Sequence, residues 1–411
     1  MGAIAFEYPA EIEAIRGGIK TFIRSEVIPR HERHAALLND DRQKYDASGR
    51  YVPDVLRLIR EVRMAAAKAG YYAMSAPASL GGGGLGLVAY FAAWQDVFHT
   101  CGSEHWLGHW IISHWAKGPS PVLEKMSPRA KAEILPGLLS GERALCFGLS
   151  EPGAGSDAAA IQTRATPDGD GWRLTGRKIW TTNSPYADYV IVFAVTDPDA
   201  AARRRGGIST FLVPTNAPGF TIESIIKMYG HIGGDEGILV FDDVRVEPHQ
   251  LVGEPNKGFA IGLLGVSLGR MYNMGRAVGL ARWALEKAVE YTKVRHTFGK
   301  PISEYQGVTF PLAESAMEIH AAHLMSLNCA QLLDRGQSAV KEMSMAKAFA
   351  VEAGVRAIDR AIQTHGAMGF TNELGLTEAY AAVRKVNVAD GSNEIMRRTI
   401  AQCLLKGDTD L

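Results

Sequence analysis

Phe147-Gly-Leu-Ser-Glu-Pro-Gly-Ala-Gly-Ser-Asp157, followed at a short distance by Gly176-Arg-Lys-Ile-Trp-Thr-Thr-Asn183, is the most telling part of this chain. The first string is rich in small residues, with three glycines and two serine hydroxyls. Without a Cβ, the backbone N–H groups of such a string can approach a ligand closely. The second string places an indole beside two hydroxyls, a surface on which a flat aromatic cofactor can stack and be hydrogen-bonded. Read by itself, Trp180 is more readily a core aromatic of a small β structure; only the two strings together favour the cofactor.

Around these strings the pattern changes twice. Residues 1–143 read as helical: Glu11 to Ile28 and Val52 to Ala69 carry apolar positions at three-to-four spacing among Arg, Glu and Lys. Residues 144–252 read as short strands. Asp168-Gly-Asp-Gly171 is a turn signal, and Tyr189–Val195, Ser209–Val213 and Gly237–Phe241 are apolar runs bounded by Gly, Pro, Asp or Asn. Residues 253–411 are helical again, broken at Gly299-Lys-Pro301, at Gly336 and from Gly366 to Gly369. There Met343, Ala346, Ala350, Ala353, Ala357 and Ala361 share one helix face whose small side chains permit close packing. The expectation is an α+β protein: an N-terminal helical domain, a central antiparallel β-barrel or sandwich, and a C-terminal four-helix bundle.

The chain has 411 residues and balanced charge, with Lys+Arg and Asp+Glu both at 44. No global charge therefore favours nucleic acid or an anionic membrane. Cys101, Cys146, Cys329 and Cys403 lie far apart without zinc-type spacing, which fits a reducing compartment. The first residues lack the basic start and apolar core of a signal peptide, and no apolar run has the length of a membrane span. A soluble, cytoplasmic protein is expected.

Both strings resemble the flavin-binding segments of the acyl-CoA dehydrogenase superfamily, and the helical–β–helical order is that of its domains. The resemblance implies FAD as cofactor and oxidation of an acyl-CoA thioester to the trans-2-enoyl-CoA, as in fatty-acid β-oxidation. It implies that Phe147, Leu149, Ser150, Gly155 and Ser156 line the isoalloxazine, with Ser150 hydrogen-bonding the ring. Trp180 would pack on the flavin with Thr181 beside it, Thr182 would reach toward N5, and Ser156 would also hold part of the CoA thioester. Further on, Arg295-His-Thr-Phe-Gly-Lys300 with Tyr305-Gln306 resembles the family string that reaches the FAD pyrophosphate and adenine of a neighbouring subunit. Arg295, Thr297, Phe298 and Gln306 carry that resemblance. Gln363-Thr-His-Gly-Ala-Met-Gly-Phe370 resembles a turn touching the partner's FAD through Gln363, Gly366 and Ala367. A homodimer or homotetramer with a shared FAD site, and an electron-transfer flavoprotein as acceptor, follow from the same resemblance.

Val388-Ala-Asp-Gly-Ser-Asn-Glu-Ile-Met-Arg397 resembles the segment carrying the catalytic base, which reads Glu-Gly-Thr in many members. Here the position holds Asp390, a carboxylate whose arm is one methylene shorter. Some acyl-CoA dehydrogenases, and nitroalkane oxidases of the same superfamily, also carry Asp. Ser392 and Glu394 would touch the cofactor. A few members place the base on an earlier helix beside an arginine; the matching pair is Gly269-Arg270. Glycine cannot be a base, so Arg270 is left as a substrate-side group near the carboxylate. The resemblance implies that Asp390 takes the α-proton while the β-hydride passes to FAD N5, the thioester oxygen being polarised by the Asp390 backbone N–H and a ribityl hydroxyl. The alternative for Asp390 is a helix cap ahead of a helix starting near Ser392. The rival functions are a nitroalkane oxidase or monooxygenase on the same scaffold, and a non-catalytic relative.

Two other features carry less. Gly81-Gly-Gly-Gly-Leu-Gly86 formally satisfies a dinucleotide fingerprint but lacks the βαβ context and reads as an inter-helix loop. His105-Trp-Leu-Gly-His-Trp-Ile-Ile-Ser-His-Trp115 places His105 and His109 four apart, as on one helix face. No Glu or Cys completes a metal set, so no metal is expected; the stretch either shapes the acyl site or packs the core.

Overall fold

The computed structural model describes residues 7–410, which gather into two compact units. One consists of His34–Leu85 and Trp110–Gly269 and contains the sheet; the other takes the segment ending at Arg33, then Gly86–His109, and everything from Arg270. The N-terminal helical stretch therefore contributes to both.

In the sheet unit the strands are β1 (Leu145–Gly148), β2 (Arg164–Asp168), β3 (Gly171–Thr182), β4 (Tyr189–Val195), β5 (Ile208–Pro214), β6 (Phe220–Ile225), β7 (Glu236–Val246) and β8 (Leu251–Val252). They form one eight-stranded sheet in the order β6-β7-β3-β2-β4-β5-β8, with β1 joined to β4. The expected turn at 168–171 closes the β2–β3 hairpin, Asp168 facing Gly171. The sheet is not wholly antiparallel, however: β1 runs parallel to β4, and β2 meets β4 in parallel at Arg164 and Val195. The long apolar run of β4 explains this. Val190 to Val195 are all buried, as expected of a strand covered on both faces, so it serves as the central strand on which others collect. Its core partners are Cys146, Leu174, Phe211, Val213, Leu239, Phe241 and Val244.

The glycine-rich segment of this unit follows a 3-10 turn at Ala78–Leu80, not a strand, which removes the dinucleotide reading. Gly82 lies so close to the preceding chain that a Cβ would stand 2.2 Å from the Ala76 carbonyl oxygen. Gly82→Ala is expected to destabilise the protein by about 1–3 kcal/mol, the usual range for forced overpacking. A shift of the urea midpoint measures it; a midpoint equal to the parent's would mean the loop yields without cost.

The second unit is helical. Ala10–Phe22 continues through a π turn at Ile23–Val27 into Ile28–Arg33. Leu87–Cys101 begins at a tertiary cap, the Asp334 carboxylate accepting from the N–H groups of Leu87 (2.6 Å) and Val88 (2.9 Å). The C-terminal helices are Phe259–Val294, which enters this unit at Arg270, Gln306–Asp334, Val340–His365 and Asn393–Leu405, with a short Leu376–Arg384. As expected, Ala346, Ala350, Ala353, Ala357 and Ala361 are all buried along one face.

The histidine stretch differs from expectation. His105 lies in a turn and Trp106–Trp110 form a 3-10 helix. With three residues per turn, positions four apart do not align, so His105 and His109 do not share a face. His109 Nε2 instead pairs with the Gly102 carbonyl oxygen at 3.1 Å, and His105 lies edge-on to His31. Among the described residues no group of three His, Cys, Asp or Glu could hold a metal ion, and no helix is long and apolar enough to cross a membrane.

Candidate active site

In the sheet unit, the site residues are positioned by a buried ion pair and a bulge. Strand β1 alternates, burying Cys146 and leaving Phe147 half-buried against Trp115 (ring centroids 4.4 Å apart). Beyond it the chain folds into a tight loop, with Glu151 and Ala154 exchanging backbone hydrogen bonds at 3.0 Å. Lys178 of β3, 0% exposed, fastens this loop. Its Nζ donates to the Leu149 carbonyl oxygen (3.2 Å) and to Glu151 Oε1 (2.7 Å). The Glu151 carboxylate also accepts from the N–H groups of Gln162 (2.6 Å) and Thr163 (2.9 Å). Burial pushes the Lys178 ammonium down to about 8, against the pull of Glu151. Burial also acts to raise the Glu151 carboxyl, but Lys178 and the N–H donors outweigh it and hold the group below its usual range.

The Ser150 carbonyl oxygen accepts from Ile179 N–H at 3.0 Å, setting Ser150 beside Trp180. Between Lys178 and Thr181 the β3–β7 register shifts, and Trp180 takes a left-handed φ of 60°. This bulge inserts one residue and reverses the alternation. Lys178 and Thr181 both point inward, whereas Trp180 is 56% exposed and Thr182 half-buried. Trp180 is therefore not a core aromatic. Thr181 is fully buried, and its hydroxyl has no hydrogen-bond partner among the described residues. Leu149 is half-buried, and Gly155 and Ser156 are exposed on the loop.

In the helical unit, Asp390 sits on a turn between the 3-10 segment Lys385–Asn387 and the Asn393–Leu405 helix. Its φ is 54°, and Gly391 follows at 87°. A non-glycine residue held there costs of order 1–3 kcal/mol and persists only where its surroundings enforce it. They do so here. Asn273 Nδ2 donates to Asp390 Oδ2 (2.7 Å), and Arg270 Nε donates to the Asp390 carbonyl oxygen (2.9 Å). Gly391, with its φ in a region that side chains rarely adopt, suits that place as glycine. Burial pushes the Asp390 carboxyl up to about 6, against the pull of Lys347, Arg270, Arg276 and the Asn273 hydrogen bond. The helix cap is Ser392, whose Oγ accepts from Ile395 N–H, and not Asp390. Glu394 is exposed in the first turn of that helix.

The remaining candidates in this unit lie at helix ends. Thr297 and Lys300 pair across a two-residue hairpin turn in which Phe298 and Gly299 both have positive φ. Phe298 at its tip is 96% exposed. Arg295 and Gln306 are also exposed, and the Arg295 guanidinium has no ion-pair partner among the described residues. Gly366, at φ 60°, ends the Val340–His365 helix, with Gln363 and Ala367 exposed around it. Tyr291 stacks on His365 with centroids 4.5 Å apart, which brings the hairpin and this turn together. Asn273, Lys347, Glu151 and Lys178 escaped the sequence reading. A lysine at 347, within the alanine face of its helix, was the visible signal for one of them.

Three family models, described as the N-terminal, middle and C-terminal domains of acyl-CoA dehydrogenase, match residues 9–142, 146–244 and 256–405. The chain belongs to the acyl-CoA dehydrogenase family. It is thereby an oxidoreductase, of a family whose members are FAD-dependent flavoproteins. It is 35% identical over 401 residues to "Probable acyl-CoA dehydrogenase YngJ" of Bacillus subtilis (strain 168), covering 98% of this chain and 100% of that protein. It is 36% identical over 337 residues to the mitochondrial short-chain specific acyl-CoA dehydrogenase of Rattus norvegicus, covering 82% and 80%. The crystal structure of an acyl-CoA dehydrogenase from Geobacillus kaustophilus superposes with a TM-score of 0.84 at 27% identity, covering 98% of this chain and 100% of that one. The acyl-CoA dehydrogenase fold of this chain is thus the one its sequence led us to expect.

Proposed function

We propose that this protein is an FAD-dependent dehydrogenase of short-chain acyl-CoA thioesters, with Asp390 as the base that takes the α-proton. The observation that carries the reading is Asp390 itself, a strained and half-buried carboxylate whose proton affinity lies near neutrality, as a general base requires.

The residues present fit a flavin. The bulge turns an indole outward, and the Ser150 and Thr182 hydroxyls have no internal partner among the described residues. Cβ atoms added to Gly153 or Gly155 would meet nothing within 4 Å, which leaves the loop backbone open to a ligand. Phe147, Leu149, Ser150, Gly155, Ser156, Trp180 and Thr182 would hold the ring system, and Ser392 and Glu394 lie close in sequence to the base. Thr181 is left a structural place beneath Trp180. When bound, FAD supplies the acceptor for the β-hydride, which no side chain can supply. Asp390 holds the α-proton after transfer, its backbone N–H donates to the thioester oxygen, and Arg270 fixes the Asp390 carbonyl. Ser156 contacts the CoA thioester.

The set of exposed Arg295, Phe298, Gln306, Gln363, Gly366 and Ala367 with the half-buried Thr297 suits the pyrophosphate and adenine of FAD on a second copy of this chain. A guanidinium without an ion pair among the described residues is a natural diphosphate partner. The working protein is then a homodimer or homotetramer in the cytoplasm, passing electrons to an electron-transfer flavoprotein. The short-chain preference rests on the Rattus norvegicus relative.

Anaerobic titration of the purified yellow protein with a series from butyryl- to palmitoyl-CoA tests the reading. Bleaching of the flavin, most complete with butyryl-CoA, is the expected result. Because Asp390 also suits a nitroalkane oxidase, nitroethane belongs in the panel. Bleaching by nitroethane and by no thioester would replace the dehydrogenase reading, and no bleaching at all would leave a non-catalytic relative.

A further inference from the structure

We propose that Lys347 is a positioning residue of this reaction, suspending the turn that carries Asp390 and placing a buried positive charge beside it. The inference rests on the reading of Asp390 as the base. Lys347 lies on the Val340–His365 helix and is 0% exposed. Its Nζ donates to the carbonyl oxygens of Val386 (2.7 Å) and Gly391 (2.9 Å) and to Asn393 Oδ1 (2.9 Å). An ammonium has three hydrogens, so every one is spent on atoms that bracket Asp390. One of these acceptors, the Gly391 carbonyl, belongs to the left-handed pair itself, the Val386 carbonyl lies upstream of the pair, and Asn393 begins the following helix. Asn393 extends the hold, its Nδ2 donating to Asn387 Oδ1 (2.7 Å) and Glu352 Oε1 (3.0 Å).

Among the described residues no other group grips the turn from both sides. Arg270 and Asn273, from the Phe259–Val294 helix, engage Asp390 alone. The charges that act on the Asp390 carboxyl are Lys347 from one helix and Arg270 and Arg276 from another, while Lys347 itself also faces Glu352 and Glu394. Of the cations, Lys347 does most to lower the proton affinity that burial raises. Burial in turn pushes the Lys347 ammonium down to about 8, so it remains charged at neutral pH. Lysine costs much to bury, and here it carries three hydrogen bonds and a partner charge in return.

Lys347→Met, Lys347→Gln and Lys347→Arg separate the two parts. Infrared titration of the protonated carboxyl, assigned by the band missing in Asp390→Asn, reads Asp390 without any turnover. Loss of the charge in the Met and Gln variants is expected to raise the midpoint clearly above about 6. The same variants are expected to lower kcat roughly ten- to a hundredfold with little change in KM, the signature of a misplaced base. Lys347→Arg keeps the charge and hence the midpoint, but cannot reproduce three bonds at those angles, so kcat falls alone. Should Lys347→Met not fold, the Gln and Arg variants give the same two readouts. An unmoved Asp390 midpoint with unchanged kcat in Lys347→Gln overturns the proposal. If instead Asp390→Asn retains turnover, the base assignment fails, and the infrared midpoint still decides whether Lys347 governs that carboxyl.

Discussion

Asp390→Asn is expected to lower kcat by about 10²–10⁴-fold, the usual worth of a positioned general base, while the fold survives intact. The Asn side-chain oxygen can still accept from Asn273 Nδ2, and Arg270 holds the backbone carbonyl, which the substitution does not touch. Only the capacity to take a proton is lost. With the carboxyl at about 6, kcat/KM of the parent should climb as pH rises through that value and level off above it. The residual rate of the variant should lack that limb. Stability should move the opposite way. Because the folded carboxyl sits above its ordinary value of 3.8, the folded protein binds more protons than the unfolded chain between roughly pH 4 and 6. Its contribution to stability therefore falls as pH rises through that window, and at neutral pH the ionised group is a burden on the fold. Asp390→Asn should then be at least as stable as the parent at pH 7, as judged by its urea midpoint. A variant that gains or keeps stability while losing turnover marks a group retained for chemistry. Asp390→Glu restores a carboxylate on an arm longer by about 1.5 Å, and is expected to recover part of the rate. Asn at full parental activity would end the assignment.

How far the chain could be read without coordinates depends on what each feature requires. Periodicity located the elements: the alanine face from Ala346 to Ala361 and the strands around Val190 and Phe211 follow from spacing and apolar content alone. The orientation of Trp180 did not follow, because alternation runs through a bulge that shifts it by one residue. Only the pairing partner, β7, reveals that extra residue. The parallel joints of β1 and β2 with β4 were hidden for a similar reason, since register is a property of two strands and not of one. The histidines at 105 and 109 misled through their spacing, which aligns on an α-helix but not on the 3-10 turn this segment adopts. Lys347 and Lys178 were overlooked because lysine is ordinarily a surface residue. Each nevertheless occupies an inward position of its element, beside Ala346 and Ala350 in one case and on the same face as the buried Leu174 in the other.

Lys178→Met is expected to be the most destabilising of the substitutions considered, by about 3–5 kcal/mol, the cost of leaving a buried charge without its partner. Glu151 would keep two backbone N–H donors but lose the cation paired with it, in a place where it is almost fully buried. Removing both charges is a different matter. In Glu151→Gln with Lys178→Met no uncompensated charge remains, and stability should return toward the parent, because apolar replacement of a buried pair is often close to neutral. A double-mutant cycle on urea midpoints measures this coupling directly. Glu151 is held below its ordinary value of 4.5 and Lys178 is pushed down to about 8, so the pair should be fully charged between those values, fading as pH falls beneath the first or rises through the second. Flavin retention should not recover with stability. Lys178 also ties down the Leu149 carbonyl, one residue ahead of Ser150, whose own carbonyl is bonded to Ile179 beside Trp180. In the double variant that tie is gone although the fold is restored, so FAD should be released more readily on dilution, as followed by its fluorescence. A double variant as stable as the parent that also keeps its flavin would mean the pair serves the sheet alone. One that is stable but colourless would mean the pair is kept to shape the loop on which the cofactor rests.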